Sequence, residues 1–339
     1  MTLLRHLAVA TVAGILLALF SLAVTPFANL QLASMAVFFV AVAGLTVLTG
    51  LNGQVSLGHG AFMAIGAYTT ALLLLHLNWP FYLVLIISGA LSAAVGAVVG
   101  AAAARLHGPY LAGATLALGV ALPSITSHYT SVFKGDQGLF VTFAGPPASF
   151  GANFALERWQ AWISLGAALI VLLLLANLAR SAVGRNLRAV RDDEIAAQLA
   201  GLSVARVRVL AFSVSSAAAG LGGGVFAVVL QNASPGSFDL TLSLTLLSAV
   251  VIGGLGSLTG AVWGSIVVVY LGIVLRGWVD RLHLSAASTQ RLHDNLPNGV
   301  YGLLLVVMML ALPGGIQSLV RRVGALVPRR SVPPTGGQE

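Results

Sequence analysis

The chain has 339 residues, of which 58% are apolar and only 8% charged, and its mean hydropathy is +0.96. Soluble domains carry about a quarter charged residues, so an ordinary water-soluble fold is excluded and an all-α, polytopic membrane protein is expected. The net charge of +8 would point to nucleic acid in a soluble chain; here the basic residues gather in loops and in a tail with Arg321, Arg322, Arg329 and Arg330, the bias of cytoplasmic membrane loops, so membrane lipids and no nucleic acid are the expected contacts.

Apolar runs of about 20 residues mark the spans in chain order. His6–Val24 is the first, ended by Pro26. It follows a basic N-terminus as a signal peptide would, yet it is of span length and has a weak small-residue cleavage context, so it is read as a retained span. Leu32–Thr49 comes next and breaks at Gly50-Leu51-Asn52-Gly53. Then follow Leu57–Leu75, Phe81–Ala104 and Tyr110–His128, the last interrupted by Pro123. A polar connection, Thr130–Arg158, leads to Trp159–Leu178. Beyond the polar stretch that follows lie Val209–Leu230, then Leu240–Gly272, too long for one span and carrying Gly253-Gly254-Leu255-Gly256-Ser257, and a last block, Val300–Val320.

Arg180–Arg208 is the one sustained polar segment. It holds six arginines (Arg180, Arg185, Arg188, Arg191, Arg206, Arg208) and three consecutive acids, Asp192, Asp193 and Glu194, out of 17 basic and 9 acidic residues in the chain. Leu187, Val190, Ile195, Leu199 and Leu202 recur at roughly helical spacing. Arg188 and Asp192 form an i,i+4 pair, and Gly201 can take the left-handed conformation that closes a helix. One amphipathic surface helix from about Leu187 to Ala200 is expected.

Charge parity sets the topology. If this loop and the Arg-rich tail lie on the same, cytoplasmic side, an even number of crossings separates them, which requires Leu240–Gly272 to split at its glycines. That gives about six crossings before the loop and about four after it, about ten in all, with both ends cytoplasmic. The Thr130–Arg158 connection, the Gln231–Asp239 turn and a Gly277–Asn298 connection then face outside. The whole chain, 1–339, reads as a single membrane domain with a cytoplasmic loop at about 180–208 and a tail at about 321–339.

Asn52, Gln54, Ser56 and His59 stand among glycines at membrane depth, where polar side chains are costly unless buried in protein or facing water. The second glycine cluster, with Gly253, Gly254 and Gly256, sits at a corresponding place in the other half, and broken segments of this kind line pathways in transporters. Helix packing through small residues such as Gly60, Ala64 and Gly66 is the plainer reading of the same stretch. Ser56 and His59 on one helical turn also raise an intramembrane nucleophile and base, without a third orienting group. The absence of cysteine excludes disulfides, thiolate metal sites and cysteine nucleophiles, and no cofactor or metal is expected. No Gly-x-x-x-x-Gly-Lys-Ser/Thr loop is present, and the single lysine is Lys134, so ATP hydrolysis by this chain is not expected.

Thr49–Tyr68, TGLNGQVSLGHGAFMAIGAY, resembles the signature of the branched-chain amino-acid permease family nearly letter for letter. Lys134–Leu139, Arg185–Gly201, the run Ser234–Phe238 with Val251–Gly260, and Pro313–Ile316 are similar, in order, to elements of the LivM-type subunit; Thr259-Gly260-Ala261 departs from the usual proline after the glycine. The spacing of Glu194, Ala196, Ala197 and Gly201 resembles the coupling loop of ABC-transporter permeases, where small residues let a partner approach the helix. The resemblance implies an importer permease subunit for leucine, isoleucine and valine in the bacterial inner membrane. Its partners would be a LivH-type permease, two ATPase subunits and an external solute-binding protein. Arg188, Arg191, Asp192, Glu194, Ala196, Ala197 and Gly201 would couple to the ATPase. Asn52, Gln54, Ser56, His59, Gly253, Gly254 and Gly256 would be candidates for the pathway. Related permeases for urea, short amides or other amino acids, and a stand-alone secondary transporter, are the alternatives.

Overall fold

The computed structural model describes residues 2–77, 79–106, 109–141, 145–151, 154–282, 285–312 and 314–326. The tail arginines Arg329 and Arg330, and Pro313, lie outside these residues. The helices in order are α1 (Thr2–Ala23), α2 (Pro26–Leu45, continued by a π-helical turn Thr46–Leu51), α3 (His59–His76), α4 (Phe81–Ala103), α5 (Pro109–His128) and the short α6 (Thr130–Phe133). After strand β1 (Leu139–Phe140) come α7 (Leu156–Arg180), α8 (Ala182–Asp192), α9 (Glu194–Leu199) and α10 (Val204–Leu230). Strand β2 (Asn232–Ala233), α11 (Leu240–Gly253), α12 (Leu258–Asp280), α13 (Ala286–Ala311) and α14 (Gly315–Leu326) complete the chain.

Among the described residues, nine helices are long and apolar enough to cross a membrane. With α1, whose Thr11–Ala23 part is a shorter apolar helix, these make up the expected set of about ten. The long segment does split at its glycines, into α11 and α12, as parity required.

The core forms around α10, which packs against α4, α3 and α2. Its middle is built of small residues, Ser215 to Gly224 with few exceptions, so neighbouring backbones come close. The Ser92 hydroxyl on α4 lies 3.1 Å from Phe62 O on α3 and 2.8 Å from Ser216 O on α10, tying three helices at one buried point. With 27 residues, α10 is about 40 Å long. It starts beside α9 and ends beside β2. β2 pairs antiparallel with β1, Leu139 opposite Ala233 and Phe140 opposite Asn232. The Thr130–Arg158 connection and the Gln231–Asp239 turn therefore share one face. The other face holds α8, α9, both glycine breaks and α14, which packs on α11 and α12.

Four expectations are corrected. Pro123 does not interrupt α5, which runs through it to His128; a proline is tolerated inside a membrane span, where local adjustment and neighbouring groups accommodate the one backbone bond it removes. The Gly277–Asn298 connection shrinks to residues 281–285, because α12 and α13 extend into it and Pro297 lies inside α13. The last block is two helices, parted between Ala311 and Gly315. The single surface helix Leu187–Ala200 is also two: Asp193 is extended (φ −154°, ψ 110°) and caps α9 by accepting Ala196 N–H at 2.9 Å.

Candidate functional site

The first break begins where α2 loosens into its π-helical turn, a form frequent at functional sites. Gly53–Gly58 then run as irregular backbone until α3 starts at His59. The second break is the segment between α11 and α12, where Gly254 (φ +116°) and Gly256 (φ +79°) take conformations closed to most side chains. The two breaks meet: a Cβ on Gly50 would stand 2.2 Å from Gly256 N and 2.5 Å from its Cα. Only a pair of glycines allows backbone to lie on backbone here. Gly253 likewise packs on Gly260, and Gly254 on Gly314 and Gly315 of the α14 turn. The coarse correspondence of the two halves is thus a physical contact.

The surface helices are wired into this contact by Arg191. Its Nη1 donates to Gly50 O at 2.7 Å, while its Nε and Nη2 donate to Asp192 Oδ1 at 2.9 and 2.7 Å. Its methylenes cross Gly53, where a Cβ would come within 2.8 Å of Cγ. Asp192 is therefore paired with Arg191, not with Arg188 one turn back as expected. The half-buried Glu194 Oε2 holds Arg208 Nη2 at 2.7 Å, and Arg208 Nη1 reaches Ala104 O at 3.4 Å, so α9 is pinned to α10 and to the end of α4.

The α9 helix closes at Gly201 (φ +86°): Leu202 N–H donates to Ala197 O at 3.0 Å and Gly201 N–H to Gln198 O at 2.9 Å, both bonds of a Schellman close. Ala197 is buried with Val190 and Val204 under Leu202. Ala196 faces outward beside Ile195 and Leu199, which are 73% and 85% exposed. Two of the apolar residues grouped by their helical spacing, Ile195 and Leu199, thus form an outward apolar surface, and of the two alanines only Ala196 is open to a partner. The break at Asp193, which turns α9 relative to α8, is the cause; an Asp followed three residues later by the first free N–H is the signal that could have located it.

Asn52 and Gln54 are buried and bonded to each other, Nδ2 to Oε1 at 2.8 Å, and line a cavity of about 470 Å³ with Arg191, Glu194 and Arg208. Asn52 Oδ1 and Gln54 Nε2, one acceptor and one donor, have no partner among the described residues. Two of the pathway candidates, Asn52 and Gln54, therefore share one cavity with three of the coupling candidates, Arg191, Asp192 and Glu194. Ser56 and His59 are fully buried beyond it, and His59 stands edge to face with Phe62 at 6.1 Å. Among the described residues Ser56 Oγ has no hydrogen-bond partner and so does not meet His59; the nucleophile and base arrangement is not formed. Ser56 precedes α3 and does not share a helical turn with His59. Among the described residues no group of three His, Asp or Glu could hold a metal ion.

Residues 27–312 match the family model described as branched-chain amino acid transport system, permease component. The chain is similar to the high-affinity branched-chain amino acid transport system permease protein LivM of Salmonella typhimurium, 31% identical over 86% of this chain and 71% of that one. It is also similar to LivM of Escherichia coli K12, 32% identical over 82% and 67%. LivH of Salmonella typhimurium is more distant, 24% identical over 80% and 88%. With its membrane helices, its paired breaks and a match across most of its length, the chain belongs to the family of branched-chain amino acid transport permeases.

Proposed function

We propose that this chain is the permease subunit of an ATP-binding-cassette importer that carries leucine, isoleucine and valine inward across the bacterial cytoplasmic membrane. It works beside a second, LivH-type permease, an external solute-binding protein and two ATPase subunits that hydrolyse the ATP. The ATPase docks on α8–α9, where Ile195, Ala196 and Leu199 face outward and Arg188 flanks them. The carrying observation is Arg191, which joins that surface directly to Gly50 and so to the contact between the two broken helices.

A push on a rigid, capped α9 moves α8, and Arg191 passes the displacement to a backbone contact that packs in discrete arrangements. The face bearing α8–α9 and α14 is cytoplasmic. It carries Arg180, Arg185, Arg188, Arg206, Arg321 and Arg322, in keeping with the positive-inside bias. The start of α1 and the end of α14 then lie inside, since both are on that face.

The test is uptake of radiolabelled leucine by cells carrying the assembled transporter. The expected result is uptake that stops on ATP depletion while the proton gradient is held. Uptake that survives ATP depletion would make the chain a secondary transporter, and uptake of urea or a short amide in place of leucine would move it to the related substrates.

A further inference from the structure

On the face opposite α8–α9, a cavity of about 480 Å³ opens between α2, α11, α12 and α13, within the size range of small-ligand sites. Phe38, Leu242, Val268 and Ile273 give it an apolar wall. Two opposite charges from different helices face it, Asp239 and Arg276.

Asp239 begins α11, which has 14 residues and is about 21 Å long, short of the roughly 30 Å hydrocarbon core. With its far end at the α8–α9 face, its start lies below the opposite surface, so Asp239 stands inside the membrane profile. Asp239 Oδ1 caps the helix by accepting Leu242 N–H at 3.0 Å, and the residue lines the cavity. Arg276 lies on α12 a turn before its end, and Gly272 beneath it leaves room: a Cβ there would meet Arg276 Nη2 at 3.4 Å and Tyr301 Oη at 2.8 Å. Among the described residues neither charge enters an ion pair; the pair at this end of the helices is His293 with Asp280, at 3.0 Å. Both residues are exposed in the chain by itself, and two separate, opposite charges on the wall of a cavity at membrane depth need a ligand or water to meet them.

We propose that this cavity is a binding site for a zwitterionic amino acid with an apolar side chain, Asp239 accepting the α-ammonium, Arg276 donating to the α-carboxylate, and the side chain resting on the apolar wall. The assignment rests on the importer reading and adds to it the place and the groups that hold the substrate before it passes inward. Both charges are needed, because a ligand with a single charge meets only one of them and gains only one of the two contacts.

The absence of cysteine supplies the experiment. Val269→Cys places one thiol in the cavity of the assembled transporter, and a membrane-impermeant maleimide is added from the external side. Saturating leucine is expected to slow labelling, while 4-methylpentanoate, which lacks the ammonium, and isopentylamine, which lacks the carboxylate, do not. Adding Asp239→Asn or Arg276→Gln should raise the leucine concentration needed for protection by at least about tenfold. An unchanged labelling rate without leucine shows that the cavity is intact in each variant. Labelling indifferent to leucine, equal protection by a single-charge analogue, or full protection in either charge variant would overturn the site. If ATP-dependent leucine uptake persists in any of those cases, the site fails and the importer reading stands; if no leucine uptake occurs at all, that reading fails first.

Discussion

Replacing Arg191 with Ala removes the side chain that, among the described residues, hydrogen-bonds the surface helices to the broken-helix contact. Three hydrogen bonds go with it, one to Gly50 O at 2.7 Å and two to Asp192. The bonds to Asp192 count for little, because that carboxylate is 63% exposed and exposed pairs contribute about 0–1 kcal/mol. A charged donor on a carbonyl contributes about 1.5–3 kcal/mol when fully buried; Arg191 is 39% exposed, and water screening reduces this to about 1 kcal/mol. That corresponds to about a fivefold shift between two packings. In proteoliposomes of the assembled transporter, leucine carried per ATP hydrolysed should fall about fivefold in R191A while hydrolysis continues. Asp192→Asn should change the ratio less than about twofold, since the Gly50 bond survives. Lysine, a single-point donor, should restore only part of it. An R191A transporter as tightly coupled as the parent, or equal losses in R191A and D192N, would refute the role given to the Gly50 bond.

Two glycine substitutions separate crowding from backbone conformation. Gly50→Ala puts a methyl 2.2 Å from Gly256 N, against backbone that cannot rotate away. Overpacking of this kind costs about 1–3 kcal/mol, and thermal unfolding of the purified protein should show a lower midpoint than for Gly113→Ala, where a Cβ meets nothing within 4 Å; equal midpoints would contradict the contact. Gly201→Ala is the converse, with open space around the Cβ but φ at +86°, so its cost of about 1–2 kcal/mol is conformational and Gly201→Asn should recover much of it.

The spans were legible because hydropathy is local: each apolar run that α2, α3, α4, α7 and α10 occupy is bounded by its own Gly, Pro or charge. The split between α11 and α12 could be reached from charge parity, a constraint that spans the whole chain yet is written in countable residues. Pro123 misled, since a rule for helices in water overstates the effect of proline inside a span, where local adjustment and neighbouring groups accommodate the lost bond. The surface helix misled for a different reason. Leu187 and Val190 fit one apolar stripe with Ile195 and Leu199 only if the helix is continuous, and a one-residue cap at Asp193 reorients the second half. What could not be read at all is tertiary. Nothing near Gly50 names Gly256 as its neighbour, nothing near Glu194 names Arg208, and Asp239, which reads as a loop residue, gains its setting only when α12 brings Arg276 to the same cavity.

The reading that α8–α9 receives an ATPase and passes its motion inward is tested most directly by single cysteines on the cysteine-free chain. Ala196 is exposed and Ala197 is 4% exposed on the adjoining position. Ala196→Cys should be labelled only from the cytoplasmic side and should cross-link to a co-expressed ATPase subunit with a yield that changes between nucleotide states, while Ala197→Cys should do neither. Labelling of Ala196→Cys from the external side, or cytoplasmic labelling with no ATPase cross-link in any nucleotide state, would contradict the account.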